Sequence, residues 1–185
     1  MSSVSESRSS AGPQSELDML NHATLDNTPR ALMQGDVKAK VVKVYDGDTF
    51  TAAICVPAVP GTRCVKCEAP ADAILAVPTL FNCRITGIDT PELRTKNAQE
   101  KEFGYIARDI VRHMILGKIV TLKCWGSDKY GRVLTTVYSP KHGDIGLSLV
   151  GSELAVEYDG GTKTYDWGKH EFSNGSREVS DFLKS

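Results

Sequence analysis

Leu80-Phe81-Asn82-Cys83-Arg84-Ile85-Thr86-Gly87-Ile88-Asp89-Thr90-Pro91-Glu92, and the run Asn97 to Leu116 that follows it, decide how this chain folds. Leu80 to Ile88 is apolar and bounded by turn signals, so it reads as a strand. From Asn97 the period changes. Phe103, Ile106, Ala107, Ile110, Val111 and Met114 recur at three- and four-residue steps, one continuous apolar stripe of a helix. Asn97 stands where an N-cap belongs, Glu100 at the capping-box position and Gly117 just past the end. Gly104 inside the helix costs about 1 kcal/mol relative to Ala, so a close backbone neighbour is expected there.

Working outward, Lys38 to Tyr45 reads as a first strand, and Thr49 to Val56 as its hairpin partner across the Asp46-Gly47 turn. Residues 57–79 hold Pro57, Pro60, Gly61, Pro70 and Pro78 and read as a long insertion off the sheet. Beyond the helix, Ile119 to Trp125 and Val133 to Tyr138 form two more strands, and Leu147 to Leu154 a short second helix. The expected fold is α+β, mainly β. It is a five-stranded Greek-key barrel of the OB type, with the long helix between strands 3 and 4 and one or two further short helices. Such a barrel commonly binds oligonucleotides on its strand face and loops. Residues 1–36, rich in Ser, Asn, Asp and Pro, read as a mobile extension, 37–159 as the domain, and 160–185 as a polar C-terminal tail whose membership of the domain stays open.

The 185 residues suffice for one domain with a real core, and 41% hydrophobic content is ordinary for a globular chain. No apolar run approaches the roughly 18 residues that span a bilayer. The start, Met1-Ser2-Ser3-Val4-Ser5-Glu6, has neither a basic nor an apolar signal region, so an intracellular monomer without membrane contact is expected. Net charge is −1, which excludes a global positive field. Residues 1–36 carry two basic and five acidic side chains, and the remainder a net +2, so a polyanion must be held by a local patch. The odd cysteine count, Cys55, Cys64, Cys67, Cys83 and Cys124, is not the even framework of a small secreted protein. Cys64 and Cys67 form a CxxC that, with Cys55 and Cys83, has partial zinc spacing. A disulfide or free thiols together outweigh zinc.

Three short segments carry chemistry. Asp46-Gly47-Asp48-Thr49 offers two carboxylates at i and i+2, which point to one side of an extended chain, although Asp-Gly is also a common turn. Arg84 sits in an otherwise apolar strand and needs an anion, internal or bound. Asp89 follows, and its convergence with Arg84 requires the strand to have ended by then. Gly87 makes a bend there plausible. Asp128-Lys129-Tyr130-Gly131-Arg132 lies between two strands, where a solvated turn is the plain alternative. Taken together they supply carboxylates for a hard cation, a further carboxylate for water, and two arginines for phosphoryl oxygens. That is an inventory for phosphodiester hydrolysis.

In this order and on this frame the segments resemble the staphylococcal nuclease family, from about Val37 to about Tyr158. Asp89-Thr90-Pro91-Glu92, five residues after an arginine and followed by Glu100-Lys101-Glu102-Phe103-Gly104, carries most of the resemblance, with Asp128 to Arg132 beside it. The resemblance implies that Asp48 and Asp89 ligate one Ca2+ through carboxylates and Thr90 through its carbonyl, with Asp46 behind them. It implies that Arg84 and Arg132 clamp the scissile phosphate and that Glu92 is the general base. Lys129, Tyr130 and Tyr158 would contact the substrate. The reaction implied is cleavage of the P–O5′ bond of DNA or RNA, leaving 3′-phosphate ends, on single-stranded or frayed nucleic acid. The rival expectation is a catalytically inactive module of the same fold that binds nucleic acid or protein. The chain departs from the family in its weakly basic surface, its 57–79 insertion and its N-terminal extension.

Overall fold

The computed structural model describes residues 33–57 and 76–173. Strand β1 (Gln34–Val44) turns back into β2 (Thr49–Pro57), and β2 pairs with β3 (Ala76–Ile85), all antiparallel. After a two-residue strand β4 (Ile88–Asp89), helix α1 (Ala98–Ile115) leads to β5 (Ile119–Ser127) and β6 (Val133–Ser139). β5 pairs with β1, and β6 with β5. A parallel seam, Cys83 with Val133 through Ile85 with Thr135, joins β3 to β6 and closes a five-stranded barrel. The chain then runs through β7 (Gly143–Asp144), helix α2 (Ile145–Gly151), β8 (Val156–Glu157) and a 3-10 turn at Trp167–Lys169. This is the expected OB-type barrel, mainly β, with its long helix between the third and fourth barrel strands.

The alternation of each strand fills the barrel. Val41, Phe50, Ala52, Ile54, Cys83, Ile85, Val120, Leu122, Val133 and Val137 point inward and are buried. Helix α1 adds Phe103, Ile106, Ala107, Ile110, Val111, Met114 and Ile115, which contains every residue of the expected stripe. Asn97 caps α1, its side chain accepting from Gln99 and Glu100 N–H, and Gly117 ends it at φ 76. Glu100 does not complete a capping box. Its Oε1 accepts instead from the Glu92 N–H at 3.3 Å, because the Asn97 N–H is already donated to Thr95 Oγ1.

Several boundaries differ from the sequence expectation. β1 starts at Gln34 rather than Lys38, since Gln34 to Ala39 pair continuously with Trp125 to Val120. β2 and β3 continue through Pro57 and Pro78, because this end of β3 is a sheet edge that needs no donor there. β3 stops at Ile85, not Ile88, at the turn where Gly87 takes φ 82. The second helix starts two residues early, at Ile145, under an Asp144 cap. Of the expected extension, insertion and tail, residues 1–32, 58–75 and 174–185 lie outside the described residues, Cys64 and Cys67 among them. Cys83 is buried opposite Phe50, while Cys55 lies opposite Pro78. Five residues of extended strand, roughly 17 Å, separate the two, so they do not converge on one zinc ion. Cys55, Cys83 and Cys124 are free thiols. Burial pushes the Cys83 thiol up to about 12, and that of Cys124 also upward, so both are unreactive core residues.

Candidate active site

The β1–β2 turn sets the first carboxylate. Asp46 Oδ1 accepts from the Thr49 N–H at 2.7 Å and the Asp48 N–H at 3.2 Å, an Asx turn that holds Asp48 toward the barrel mouth. The Ile85 N–H donates to the Asp48 carbonyl at 2.8 Å, tying that turn to the end of β3. The second carboxylate comes from β4. The Gly87 turn reverses the chain after Ile85, and Asp89, in register with Val156, is thereby returned toward Arg84. Both carboxylates approach the same nitrogen: Arg84 Nη2 lies 2.9 Å from Asp48 Oδ2 and 4.0 Å from Asp89 Oδ1. Asp48, Asp89 and Thr90 are all buried.

Arg132 is held from two sides. Its Nε donates to Asp128 Oδ2 at 2.8 Å, and its Nη1 to Thr49 Oγ1 at 3.3 Å. Thr49 Oγ1 donates in turn to Asp48 Oδ1 at 2.7 Å, so one hydroxyl links the two acid–arginine pairs. Asp128 shapes its own loop as well, accepting from the N–H groups of Tyr130 and Arg132. Burial works against the Asp128 charge, but those hydrogen bonds and the Arg132 guanidinium outweigh it and hold the carboxyl below its ordinary range.

Glu92 is half exposed on the loop before α1. Gly104 is why that loop can come so close. A β-carbon there would stand 3.0 Å from the Pro91 carbonyl oxygen and 3.0 Å from Leu93 Cδ2. The neighbour expected at this glycine is thus the backbone carrying Glu92. A lysine completes the cluster: Lys163 Nζ is 2.5 Å from Glu92 Oε1 and 2.6 Å from Asp89 Oδ1. Burial opposes the Lys163 charge, but both carboxylates outweigh it and hold its pKa above the ordinary value.

Asp46, Asp48, Arg84, Asp89, Thr90, Glu92 and Arg132 therefore form one neighbourhood. A cleft of about 530 Å³ opens beside it, lined by Arg84, Arg132, Lys129, Tyr130, Tyr158 and Lys163. A second, of about 630 Å³, is also lined by Arg132, with Asp46, Thr49 and Glu92 in its wall. The Tyr130 ring stands 5.5 Å from Arg132 Cζ, and the Tyr158 ring 5.7 Å from Arg84 Cζ. Sequence reading missed Lys163, the bridging hydroxyl of Thr49 and the duty of Asp128 toward Arg132. Thr49 and Asp128 lay inside quoted motifs and were open to notice. Lys163 sits in an uninformative polar stretch, 71 residues from Glu92, and carried no signal.

Burial pushes Asp48 up to about 7 despite the nearby Arg84 charge, and Asp46 adds to the rise. Asp89 Oδ1 is buried and has no aligned hydrogen bond, although Lys163 stands at ion-pair distance. Among the described residues no three carboxylate, imidazole or thiol side chains gather into one metal-binding group. The oxygens that could serve a cation here are those of the Asp48 and Asp89 carboxylates, with main-chain oxygen beside them. An oxygen-only set of this kind has the chemistry that hard divalent cations take.

The sequence model of the staphylococcal nuclease homologue family matches residues 82–175, about half of the chain. That span holds Arg84, Asp89, Glu92 and Arg132, and leaves Asp46 and Asp48 before it. Among curated proteins, the chain is 27% identical to a probable endonuclease LCL3 of Arthroderma otae over 140 residues, 71% of this chain and 48% of that protein. It is 25% identical to an uncharacterized endonuclease of Escherichia coli over 124 residues, 67% of this chain and 63% of that protein. A probable endonuclease LCL3 of Coccidioides posadasii is 27% identical over 165 residues, 85% of this chain and 51% of that protein. The chain thus spans between about half and under two thirds of these relatives. No helix among the described residues is long and apolar enough to cross a membrane. The barrel, its parallel seam and the family match over its second half agree, and the chain belongs to the staphylococcal nuclease homologue family.

Proposed function

We propose that this chain is a calcium-dependent nuclease that hydrolyses the P–O5′ bond of DNA or RNA and leaves 3′-phosphate and 5′-hydroxyl ends. The observation that carries this reading is the approach of two buried carboxylates, Asp48 and Asp89, to one guanidinium nitrogen of Arg84. A purely structural arginine needs one such partner. The two carboxylates would hold a cation, and that cation with the two arginines would suit an anion that gains charge during reaction, with a glutamate beside them for water.

In this reading Asp48, Asp89 and the Thr90 carbonyl hold one calcium ion, and Asp46 keeps the Asp48 turn in shape. When bound, that ion offsets charge on the phosphoryl oxygens. Arg84 and Arg132 donate to the same oxygens, more strongly as the phosphorus becomes five-coordinate. Glu92 takes the proton of the attacking water, the new P–O bond forms, and the P–O5′ bond breaks, the departing oxygen taking a proton from solvent water to leave as the 5′-hydroxyl. Lys129 meets a neighbouring phosphate, while Tyr130 and Tyr158 offer ring faces to a sugar or base. The cleft, with the exposed Tyr130 ring at its wall, suits a splayed single strand better than a stacked duplex.

The test is cleavage of a single-stranded oligonucleotide by the full chain, with calcium, with EGTA, and with magnesium alone. Calcium-dependent release of 3′-phosphate ends is expected. Full activity with magnesium alone would remove the ion assignment. Retention of uncut oligonucleotide in calcium would replace the nuclease by a binding module.

A further inference from the structure

Lys163 stands between two carboxylates of this site. It places an ammonium within 2.6 Å of Asp89 Oδ1 and 2.5 Å of Glu92 Oε1. One of these carboxylates is a cation ligand in the reading above, and the other its base. We propose that Lys163 is the resident counter-cation of the site. Its ammonium holds Glu92 beside Asp89, and a divalent cation must displace it in order to bind.

The burial pattern supports this. The Asp89 side chain is only 4% exposed, and a carboxylate that deep without a positive partner is costly to keep ionised. Arg84 reaches its Oδ1 only at 4.0 Å, so Lys163 supplies the nearer charge. The Lys163 side chain, by contrast, is 38% exposed and can withdraw to water with little loss.

The segment that carries Lys163 is fastened at both ends. At its start, Tyr158 N–H donates to the Gly87 carbonyl at 3.0 Å, directly before β4. Within it, Gly160 takes φ 92 and Gly161 N–H donates to Asp159 Oδ1 at 2.8 Å. Past Lys163, Tyr165 hydrogen-bonds to His170 and stacks edge-on against Trp167. These ties deliver one lysine to the carboxylates, and the same stretch lines the substrate cleft.

The consequence is a coupling. While Lys163 is in place, Glu92 Oε1 is engaged and unavailable to water. A cation that takes over Asp89 releases Lys163, and that frees the base in the same event. Lys163 is a positioning residue, since it acts through Glu92 and Asp89.

This inference rests on the ion and base assignments of the proposed function. Its test is calcium titration of the full chain by calorimetry without substrate, using wild type, Lys163→Met and Lys163→Arg, with thermal unfolding of each. Lys163→Met should bind calcium about tenfold more tightly, the scale of one half-exposed ion pair and one with a buried carboxylate, yet unfold at lower temperature without calcium. Lys163→Arg keeps the charge and should stay near wild type in both. A residue that only stabilised the loop would lower stability without tightening calcium. If wild type binds calcium and Lys163→Met binds no tighter, or Lys163→Arg tightens as much as Met, the role given to Lys163 is wrong. If neither wild type nor Lys163→Met binds calcium at millimolar concentration, the ion assignment itself fails and takes this inference with it.

Discussion

Gly47 lies flat against the side chain of Thr90: a β-carbon on the glycine would stand 2.9 Å from Thr90 Cβ and Cγ2. The contact joins the turn that carries Asp48 to the segment that carries Asp89. Gly47→Ala must open that gap, because the nearest Thr90 atoms are branched and attached close to the backbone. We expect a stability loss of about 1–3 kcal/mol, the usual cost of overpacking, and weaker calcium binding. Urea unfolding and calorimetry measure the two separately.

Glu92→Gln changes one oxygen on a half-exposed side chain and should shift the unfolding curve only slightly, through the weakened contact with Lys163. Turnover should fall by about 10²–10⁴-fold, the range for a lost general base. Arg84→Ala should cost about 10²–10³-fold or more by removing a donor to the phosphoryl oxygens. Initial rates on a short single-stranded oligonucleotide, with circular dichroism of each variant, check both. Near-normal rates in either would remove the role given to that residue.

Gly104→Ala pits two effects of opposite sign. Ala gains about 1 kcal/mol in helix propensity. Its methyl group would also stand 3.0 Å from the Pro91 carbonyl oxygen, and backbone cannot swing aside as a side chain would. Overpacking at about 1–3 kcal/mol should win, so the variant is expected to be less stable and slower, through displacement of Glu92. A stabilised variant with unchanged rate would show that the helix can shift without moving the loop.

His170 should make the fold sensitive to acid. Its ring is buried edge-on against Phe103, Trp167 and Phe172, its Nδ1 meets the Tyr165 hydroxyl, and Glu153 is the charge facing it. Burial lowers its pKa below 6.5, and Glu153 only partly opposes this. The unfolded chain therefore binds the proton first. The stabilising contribution is complete above about pH 6.5 and is lost as pH falls below it. Urea midpoints at pH 7.5 and pH 5 should separate more in wild type than in His170→Phe.

Much of this could be read from residue order because the decisive signals were local. The α1 stripe, its Asn97 cap and the alternating strands each depend on neighbours within a few positions. The motifs grouped Asp48, Arg84, Asp89, Glu92 and Arg132 because each segment ends or begins a strand at the same mouth of the barrel. What escaped was set at long range. The prolines at 57 and 78 looked like breakers until the sheet edge became visible. Lys163 reaches Glu92 through a glycine-bearing loop with no periodicity, so only the folded backbone brings them together.

The parallel seam between β3 and β6 has a temporal meaning. Cys83 meets Val133 from fifty positions away along the chain, and both arginines hang on that junction, one in the seam and one immediately before it. Hairpins can zip from their turns, but this closure waits for the strands on either side and for α1 to be in place. A nascent or partly unravelled chain would therefore hold its acids and its guanidinium groups apart. The proposed activity would therefore arrive only with the finished barrel, and an incomplete copy of the chain would lack it.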